Sequence, residues 1–243
     1  MVLYIHDGSF DGFLTCIYDS YYSNIKPNEI LDKRYYENQL FYEPYYIDTD
    51  TEKSNKVLKS LITQCGNETL YNVYYSFLCD TPPSHTLIYK YIKLAFKLKK
   101  DVNLHLHNEI VYSVVSLKDR VLKESHRMKG FLRFTSIDNK LLYSVIEPDN
   151  NILPIIAPHF QNRLPKENWI IHDAKRSLAL VYDKEKYFLL EDSKHSFMNI
   201  KKDLYTDLWK EYFKSTTIEE RLNIKLQKRS MPQRYWKHLH EID

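Results

Sequence analysis

The spacing of hydrophobic residues predicts a strand, a tight turn and a helix at the start of the chain. An apolar run occupies residues 2–5, and apolar residues recur at helical spacing from Phe13 to Tyr21. Between them, the polar sequence His-Asp-Gly-Ser at 6–9 is a turn signal. We therefore expect Asp7 or Ser9 to cap the first helix.

Helical spacing also dominates most of the stretch that precedes residue 130. An edge-type strand is predicted at 40–47, followed by an Asp/Thr cap and a helix that ends at Gly66. A second helix covers about 68–79, a third begins at 81–83, and a fourth runs from about 103 to Gly130. Gly130 is expected to end that helix in the left-handed conformation.

The middle of the chain changes to the alternation that is typical of strands. Residues 131–147 and 169–190 alternate between apolar and polar positions, and Asp138-Asn139 divides the first stretch into a hairpin. Prolines allow only a short helix at about 152–160. The predicted fold class is therefore α+β, with a five-stranded antiparallel sheet and surrounding helices.

The domain organisation follows from these elements. Residues 1–80 form an N-terminal strand–helix portion that is expected to pack on the sheet. Residues 81–243 form a helix plus antiparallel sheet domain, and the two parts are expected to make one compact unit. C-terminal helices are predicted near 204–212 and after the capping patterns at 217–220 and 230–233.

Composition places the chain among ordinary globular proteins. Hydrophobic residues make up 43% and charged residues 28% of its 243 positions. The sequence has neither an N-terminal signal pattern nor a long apolar run, so we expect a cytoplasmic location and no membrane association. Its three cysteines are widely spaced, which argues against a thiolate metal site or a disulfide framework. No cofactor is expected.

Charge and aromatic content leave two interpretations open. The net charge of +3 is too small to indicate a polyanion partner. Basic residues cluster between Arg221 and His238 without an acidic residue, which suits phosphate contact or a solvated helix face. The 21 tyrosines reflect either coding bias or stacking faces for nucleic-acid bases.

Residues suited to chemistry concentrate in the middle of the chain. Acid–base catalysis would draw on two histidines and three carboxylates, although no spacing pairs them and no metal site is indicated. His172 and Asp173 are adjacent on a strand and so would point to opposite faces. The candidate catalytic residues are His159, His172, Asp173, Glu147 and Asp149. The candidate nucleic-acid-binding residues are Arg127, Lys129, Arg133, Arg163, Lys175, Arg176, Arg229, Arg234 and Lys237.

Several longer motifs resemble an uncharacterised bacterial family of DNA-metabolism and DNA-repair proteins. The resemblance spans nearly the whole chain. It is carried by Asp7–Leu14, Ile47–Asp50, Met128–Phe134, Ile146–Asp149, Ala157–Phe160, Trp169–Asp173 and Met231–Lys237.

The resemblance implies a role in DNA repair or modification. That family is associated with a radical-SAM protein thought to modify DNA, and a similar domain is elsewhere joined to a uracil-DNA-glycosylase-like module. It brings no established catalytic residues. The first hypothesis is therefore a DNA-binding accessory protein that acts with a radical-SAM partner.

Two other hypotheses remain open. One is a DNA-processing enzyme, hydrolytic or base-removing, in which His159 or His172 works with Glu147 or Asp149. The other is a structural interaction domain that does not bind DNA. Whether the chain is an enzyme is left undecided by the sequence.

Overall fold

The chain divides into two compact units. The computed structural model describes residues 1–37, 40–137, 141–191 and 224–239. Unit 1 comprises residues 1–122 and unit 2 comprises residues 123–243, and the boundary falls within one long helix.

Unit 1 contains a three-stranded parallel sheet and several helices. The strand order is β2-β1-β3, and both outer strands run parallel to β1. The strands are β1 (Val2–His6), β2 (Glu29–Asp32) and β3 (Glu43–Tyr46). The helices are α1 (Phe10–Tyr22), α2 (Thr51–Cys65), α3 (Asn67–Phe77) and α4 (Ser84–Leu98), with 3-10 turns at Lys33–Tyr35 and Lys99–Leu104. Helix α5 (Glu109–Phe131) begins in unit 1 and ends in unit 2.

The predicted opening of strand, turn and helix is confirmed. The Ser9 hydroxyl accepts the Gly12 N–H at 2.9 Å and caps α1, while Asp7 accepts the Ser9 N–H at 2.9 Å. Gly8 has a φ of +94°, and a Cβ there would lie 3.0 Å from a carboxylate oxygen of Asp32. Glycine therefore serves both the turn conformation and the close approach to β2.

The sequence pattern missed β2 and found β3. Only Ile30 and Asp32 of β2 are buried, so the segment lacks the apolar alternation that marks a strand. Pairing with β1 is what makes it a strand. The expected edge strand before the Asp/Thr cap is confirmed, because β3 lies at the sheet edge and Asp50 caps α2. An edge strand tolerates Pro44.

Unit 2 contains a five-stranded sheet and one crossover helix. The strand order is β4-β5-β6-β7-β8. Its elements are β4 (Thr135–Ile137), β5 (Leu141–Ile146), α6 (Leu153–Arg163), β6 (Asn168–Asp173), β7 (Leu178–Tyr182) and β8 (Tyr187–Glu191), followed by α7 (Ile224–Ser230) and a 3-10 turn at Gln233–His238.

The sheet is mixed, which corrects the prediction of a purely antiparallel one. β5 and β6 are parallel, with Tyr143 opposite Ile170, whereas the other three pairings are antiparallel. The reason is α6, which lies between β5 and β6 in sequence and returns the chain to the same end of the sheet. The number of strands and the α+β class agree with the prediction.

Helix α6 packs on one face of this sheet through aromatic contacts. The ring centroids of Phe160 and Trp169 are 6.3 Å apart, and Trp169 stacks on Tyr182 at 5.1 Å. Pro154 lies in the first turn of α6, as expected, and Pro158 lies inside the helix.

Two predicted helix ends are wrong. Helix α5 continues through Gly130 to Phe131, and Gly130 does not have a positive φ. The Arg133 guanidinium donates to the Gly130 carbonyl at 2.8 Å, so a side chain replaces the expected glycine cap. At 230–233, the 3-10 turn begins after Pro232 without a side-chain cap. The helix expected at 204–212 and the capping pattern at 217–220 lie outside the described residues, whereas the helix expected after that pattern agrees with α7. Within the described residues, no helix is long and apolar enough to cross a membrane.

A buried pair of neutral histidines lies at the carboxyl end of β1. The Gly8 N–H donates to Nδ1 of His6 at 3.1 Å, which leaves Nε2 of His6 to donate to Nδ1 of His85 at 3.0 Å. The His85 ring stacks on Phe77 with centroids 4.9 Å apart. Burial lowers the pKa of His6 to about 4 and that of His85 to about 3, although Asp32 acts against both shifts.

We expect these histidines to make unit 1 less stable in acid. In an unfolded chain they titrate near 6.5, so below that pH the unfolded state binds more protons than the folded state. The free energy of unfolding should therefore be constant above about pH 6.5, fall as the pH is lowered, and level off below about pH 3. Urea unfolding across this range measures the slope. His85→Phe should reduce the slope, and the exposed control His107→Phe should leave it unchanged. An undiminished slope in His85→Phe would contradict this assignment.

Candidate functional site

The turn after β5 is held from one side by a buried carboxylate. Glu124 is 5% exposed and accepts the backbone N–H groups of Asp149 at 2.7 Å and of Asn150 at 2.9 Å. It also accepts the Asn150 side-chain amide at 2.6 Å and the Tyr235 hydroxyl. Four donors thus satisfy one buried charge, which is the condition for burying a carboxylate without a large penalty.

A buried ion pair holds the same turn from the other side. Asp173 is the last residue of β6, and the Arg176 guanidinium lies 2.7 Å from its carboxylate. The Arg176 side chain is 3% exposed and the Asp173 side chain is fully buried. The guanidinium also donates to the carbonyls of Pro148 at 3.0 Å and Asp149 at 2.6 Å. Burial raises the pKa of Asp173, and the Arg176 charge acts against that shift. Arg176 is committed to the turn and offers almost no surface to a ligand.

The C-terminal 3-10 turn completes this arrangement with two surface ion pairs. Arg234 contacts Asp149 at 2.7 Å, and Lys237 forms an ion pair with Glu147. Lys237 donates a hydrogen bond to the Glu147 carboxylate, which lowers the pKa of Glu147. The Arg234 and Lys237 side chains are each about half exposed. Ion pairs at such exposed positions contribute little to stability.

Three motifs that are distant in sequence therefore meet at one edge of the sheet. They are the segments 146–150, 172–176 and 231–237, and they surround the carboxyl ends of the parallel strands β5 and β6. Loops at that edge are where ligands bind in parallel α/β sheets. We call this arrangement the turn clamp. Its cations and carboxylates are mostly paired with one another.

His172 lies apart from Asp173, as expected for neighbours on a strand. Its Nδ1 is 3.0 Å from the Tyr143 hydroxyl of β5, and the ring is 1% exposed. Asp173 is bonded to Arg176 instead. The predicted catalytic residues are thus divided between a buried Tyr–His contact, the turn clamp and His159.

A second group of predicted residues meets at the ends of α5 and α6. Burial lowers the pKa of His159, and the positive charges of Lys129 and Arg163 lower it further. His159 and Arg163 are four apart on α6 and therefore share a face. The Nε2 atom of His159 is buried and has no hydrogen-bond partner within the described part of the chain. We call Lys129, His159 and Arg163 the cationic cluster.

The remaining predicted binding residues are dispersed. Arg127 is exposed, and Arg229 is exposed on α7. Lys175 is also exposed but belongs to the turn clamp, where its ammonium group donates to the Asp149 carbonyl at 3.3 Å. Arg133 caps α5 through the carbonyls of Gly130 and Leu132. The nucleic-acid-binding role expected for each of these residues stays a prediction.

Sequence reasoning missed Glu124 and Tyr235. Glu124 lies on the long helix α5, where a single acidic residue is no signal, and Tyr235 lies 111 positions away. Nothing local to either residue indicates their contact. In the described parts of the chain, no group of three metal-ligating side chains is suited to a metal ion.

We expect the Glu124 carboxylate to dominate the stability of unit 2. Glu124→Gln keeps the size of the side chain but turns an amide N–H donor toward the N–H and O–H donors that now face the carboxylate. This change should lower the free energy of unfolding by about 2–3 kcal/mol. The control Lys237→Gln breaks a surface ion pair and should lower it by less than about 1 kcal/mol. Chemical denaturation of both variants measures the difference. Equal losses in the two variants would contradict this role.

Comparison with known proteins places the chain in a family. The model of a domain of unknown function, DUF4130, matches residues 82–241, more than half of the chain. No curated protein and no solved structure matches it. The matched range includes the turn clamp and the cationic cluster, and it agrees with the expectation of an uncharacterised family. The chain therefore belongs to the DUF4130 family.

Proposed function

We propose that this protein binds nucleic acid as an accessory in DNA repair or modification, and that the cationic cluster is its phosphate contact. The cluster is the observation that carries the proposal. The part played by a radical-SAM partner rests on the sequence resemblance alone.

The electrostatics of the cluster favour an anionic ligand. Lys129 and Arg163 lie close enough to His159 for their charges to depress its pKa. Like charges held together destabilise a fold unless an anion neutralises them. A phosphate would supply that negative charge and would accept hydrogen bonds from Lys129 and Arg163. Arginine and lysine side chains near a histidine suit contact with a phosphodiester.

The turn clamp would contribute less to binding. Arg234 and Lys237 are half exposed, but each is paired with a carboxylate that would repel a phosphate. These pairs can exchange partners only at the cost of leaving Asp149 or Glu147 uncompensated. We therefore assign the clamp chiefly to the positioning of the β5–α6 loop.

The enzyme hypothesis requires an available acid–base pair. His172 contacts Tyr143, Asp173 contacts Arg176, and Glu147 contacts Lys237. Each of these three groups is committed to a neighbour, and Asp149 is paired with Arg234. The fifth candidate, His159, lies near the cations Lys129 and Arg163. Binding needs only the cations, which is why the accessory role is preferred.

Removal of the cluster cations should change the salt dependence of DNA binding. Each phosphate contact contributes a log–log slope of about −0.7 to −0.9, so Lys129→Ala with Arg163→Ala should flatten the slope by about 1.5 to 2 units. The matched control is Lys184→Ala with Lys186→Ala, which removes the same charge from the turn between β7 and β8. Fluorescence anisotropy across a salt series measures both slopes.

Three results would contradict the proposal. Equal flattening by the control pair would mean that only net charge matters. An unchanged slope in the cluster variant would move the contact elsewhere. Absence of binding by folded wild-type protein at low salt would favour a structural interaction domain.

DNA should also raise the pKa of His159. Two cations and burial depress that pKa in the free protein, and a bound phosphate would oppose both charges. We expect the NMR titration of His159, assigned with His159→Gln, to shift to higher pH when a single-stranded oligonucleotide is added. Binding should correspondingly strengthen as the pH falls through that range. The exposed His107 serves as the control, and an unmoved His159 titration at saturation would exclude this residue from the contact.

A further inference from the structure

We infer that a groove between α1 and α2 of unit 1 binds an unpaired base of a single nucleic-acid strand. Tyr22 would be the stacking face, and Lys56 and Lys59 would contact the adjoining phosphates. The inference rests on the proposed function and adds to it a preference for single strands.

The groove has the size and composition of a ligand site. It encloses about 810 Å³, within the range of small-molecule sites. Ile17 and Val57 line it and are almost fully buried, which gives it an apolar base. Tyrosines of α1, Phe96 of α4 and polar residues of α2 form the rest of its lining.

An aromatic surface is already formed along one side of the groove. Tyr18 and Tyr22 are four apart on α1 and stack with centroids 4.4 Å apart and planes at 28°. Tyr22 is nevertheless 75% exposed, so much of its ring remains open to solvent. Tyr21 is 44% exposed and meets Phe96 edge to face at 5.8 Å. Exposed aromatic rings held by their neighbours are suited to stacking against a base, whichever base it is.

Lysines accompany the aromatic rings. The Nζ atom of Lys56 lies 5.7 Å from the centroid of Tyr18, and Lys59 follows three residues later on α2. Lys53 is also near Tyr18, at 5.9 Å, but it is paired with Asp19 at 2.8 Å. Among the described residues, no carboxylate lines the groove. Its charge therefore favours an anion beside a flat ring, which is the chemistry of a nucleotide.

A peptide with aromatic side chains is the competing occupant. It would use the tyrosines equally well but would gain nothing from two unopposed lysines unless it were acidic. The combination of stacking surface and cations fits a base joined to a phosphate better. A stacking surface also favours a single strand over a duplex, because the bases of a duplex are stacked on one another and do not offer a free face.

Two substitutions separate stacking from charge. The probes are a thymidine oligonucleotide of about 12 residues and a duplex of the same length. Tyr22→Ala should weaken single-strand binding about 5- to 150-fold, which is the range measured for loss of one stacked base, and should change duplex binding less than about twofold. Tyr22→Phe keeps the ring and should bind within about twofold of wild type. Lys56→Gln with Lys59→Gln should flatten the single-strand salt slope by about 1.4 units.

The outcomes distinguish this inference from the proposed function. If wild type binds neither probe, both fail. If wild type binds but Tyr22→Ala is unimpaired while the Lys129 and Arg163 double variant is impaired, the groove is excluded and the proposed function stands. If Tyr22→Ala weakens the binding of the single strand and of the duplex equally, stacking on an unpaired base is excluded. If a defined acidic aromatic peptide binds the groove and neither oligonucleotide displaces it, the groove is a peptide site and the inference is overturned. Circular dichroism confirms that each variant is folded.

Discussion

The arrangement of unit 2 depends on the hydrogen bonding of one buried carboxylate. Glu124 projects from α5 and would be strongly destabilising without partners. The backbone of the turn at 149–150, the Asn150 amide and the Tyr235 hydroxyl supply four donors. These contacts fix the position of the β5–α6 loop and attach the C-terminal 3-10 turn to it. The loop on the other side is fixed by Arg176, which donates to two of its carbonyls. A loop of irregular backbone thereby has its polar groups satisfied by side chains.

Unit 1 meets the same requirement with neutral groups. His6 and His85 are buried side by side, and their low pKa values keep both uncharged. A hydrogen-bond chain from the Gly8 N–H through His6 to His85 requires one tautomer of each ring. The two units thus use different chemistry for buried polar groups, a satisfied charge in one and neutral imidazoles in the other. The imidazole pair becomes less stable as its rings are protonated in acid.

The proposed function depends more on charges outside the ion pairs than on the paired ones. The turn clamp gathers the most distinctive motifs of the sequence, yet its cations and carboxylates are paired with one another. In unit 2, Lys129 and Arg163 place like charges near His159. In unit 1, Lys56 and Tyr22 both contact Tyr18 but remain exposed. A phosphodiester strand supplies both anions and flat rings, so the two proposals require only one class of ligand.

The sequence by itself determined the local structure, because helix spacing, strand alternation and turn residues act over a few positions. It was sufficient for the opening turn at Gly8, the Asp50 cap and the five strands of unit 2. The tertiary structure decided what depends on distant partners. Strand β2 exists because β1 pairs with it, and α6 makes β5 parallel to β6 rather than antiparallel. Glu124 meets Tyr235 across 111 positions, so only the fold brings the donors to the carboxylate. The roles of Asp173 and Arg176 were likewise set by burial, which no local pattern records.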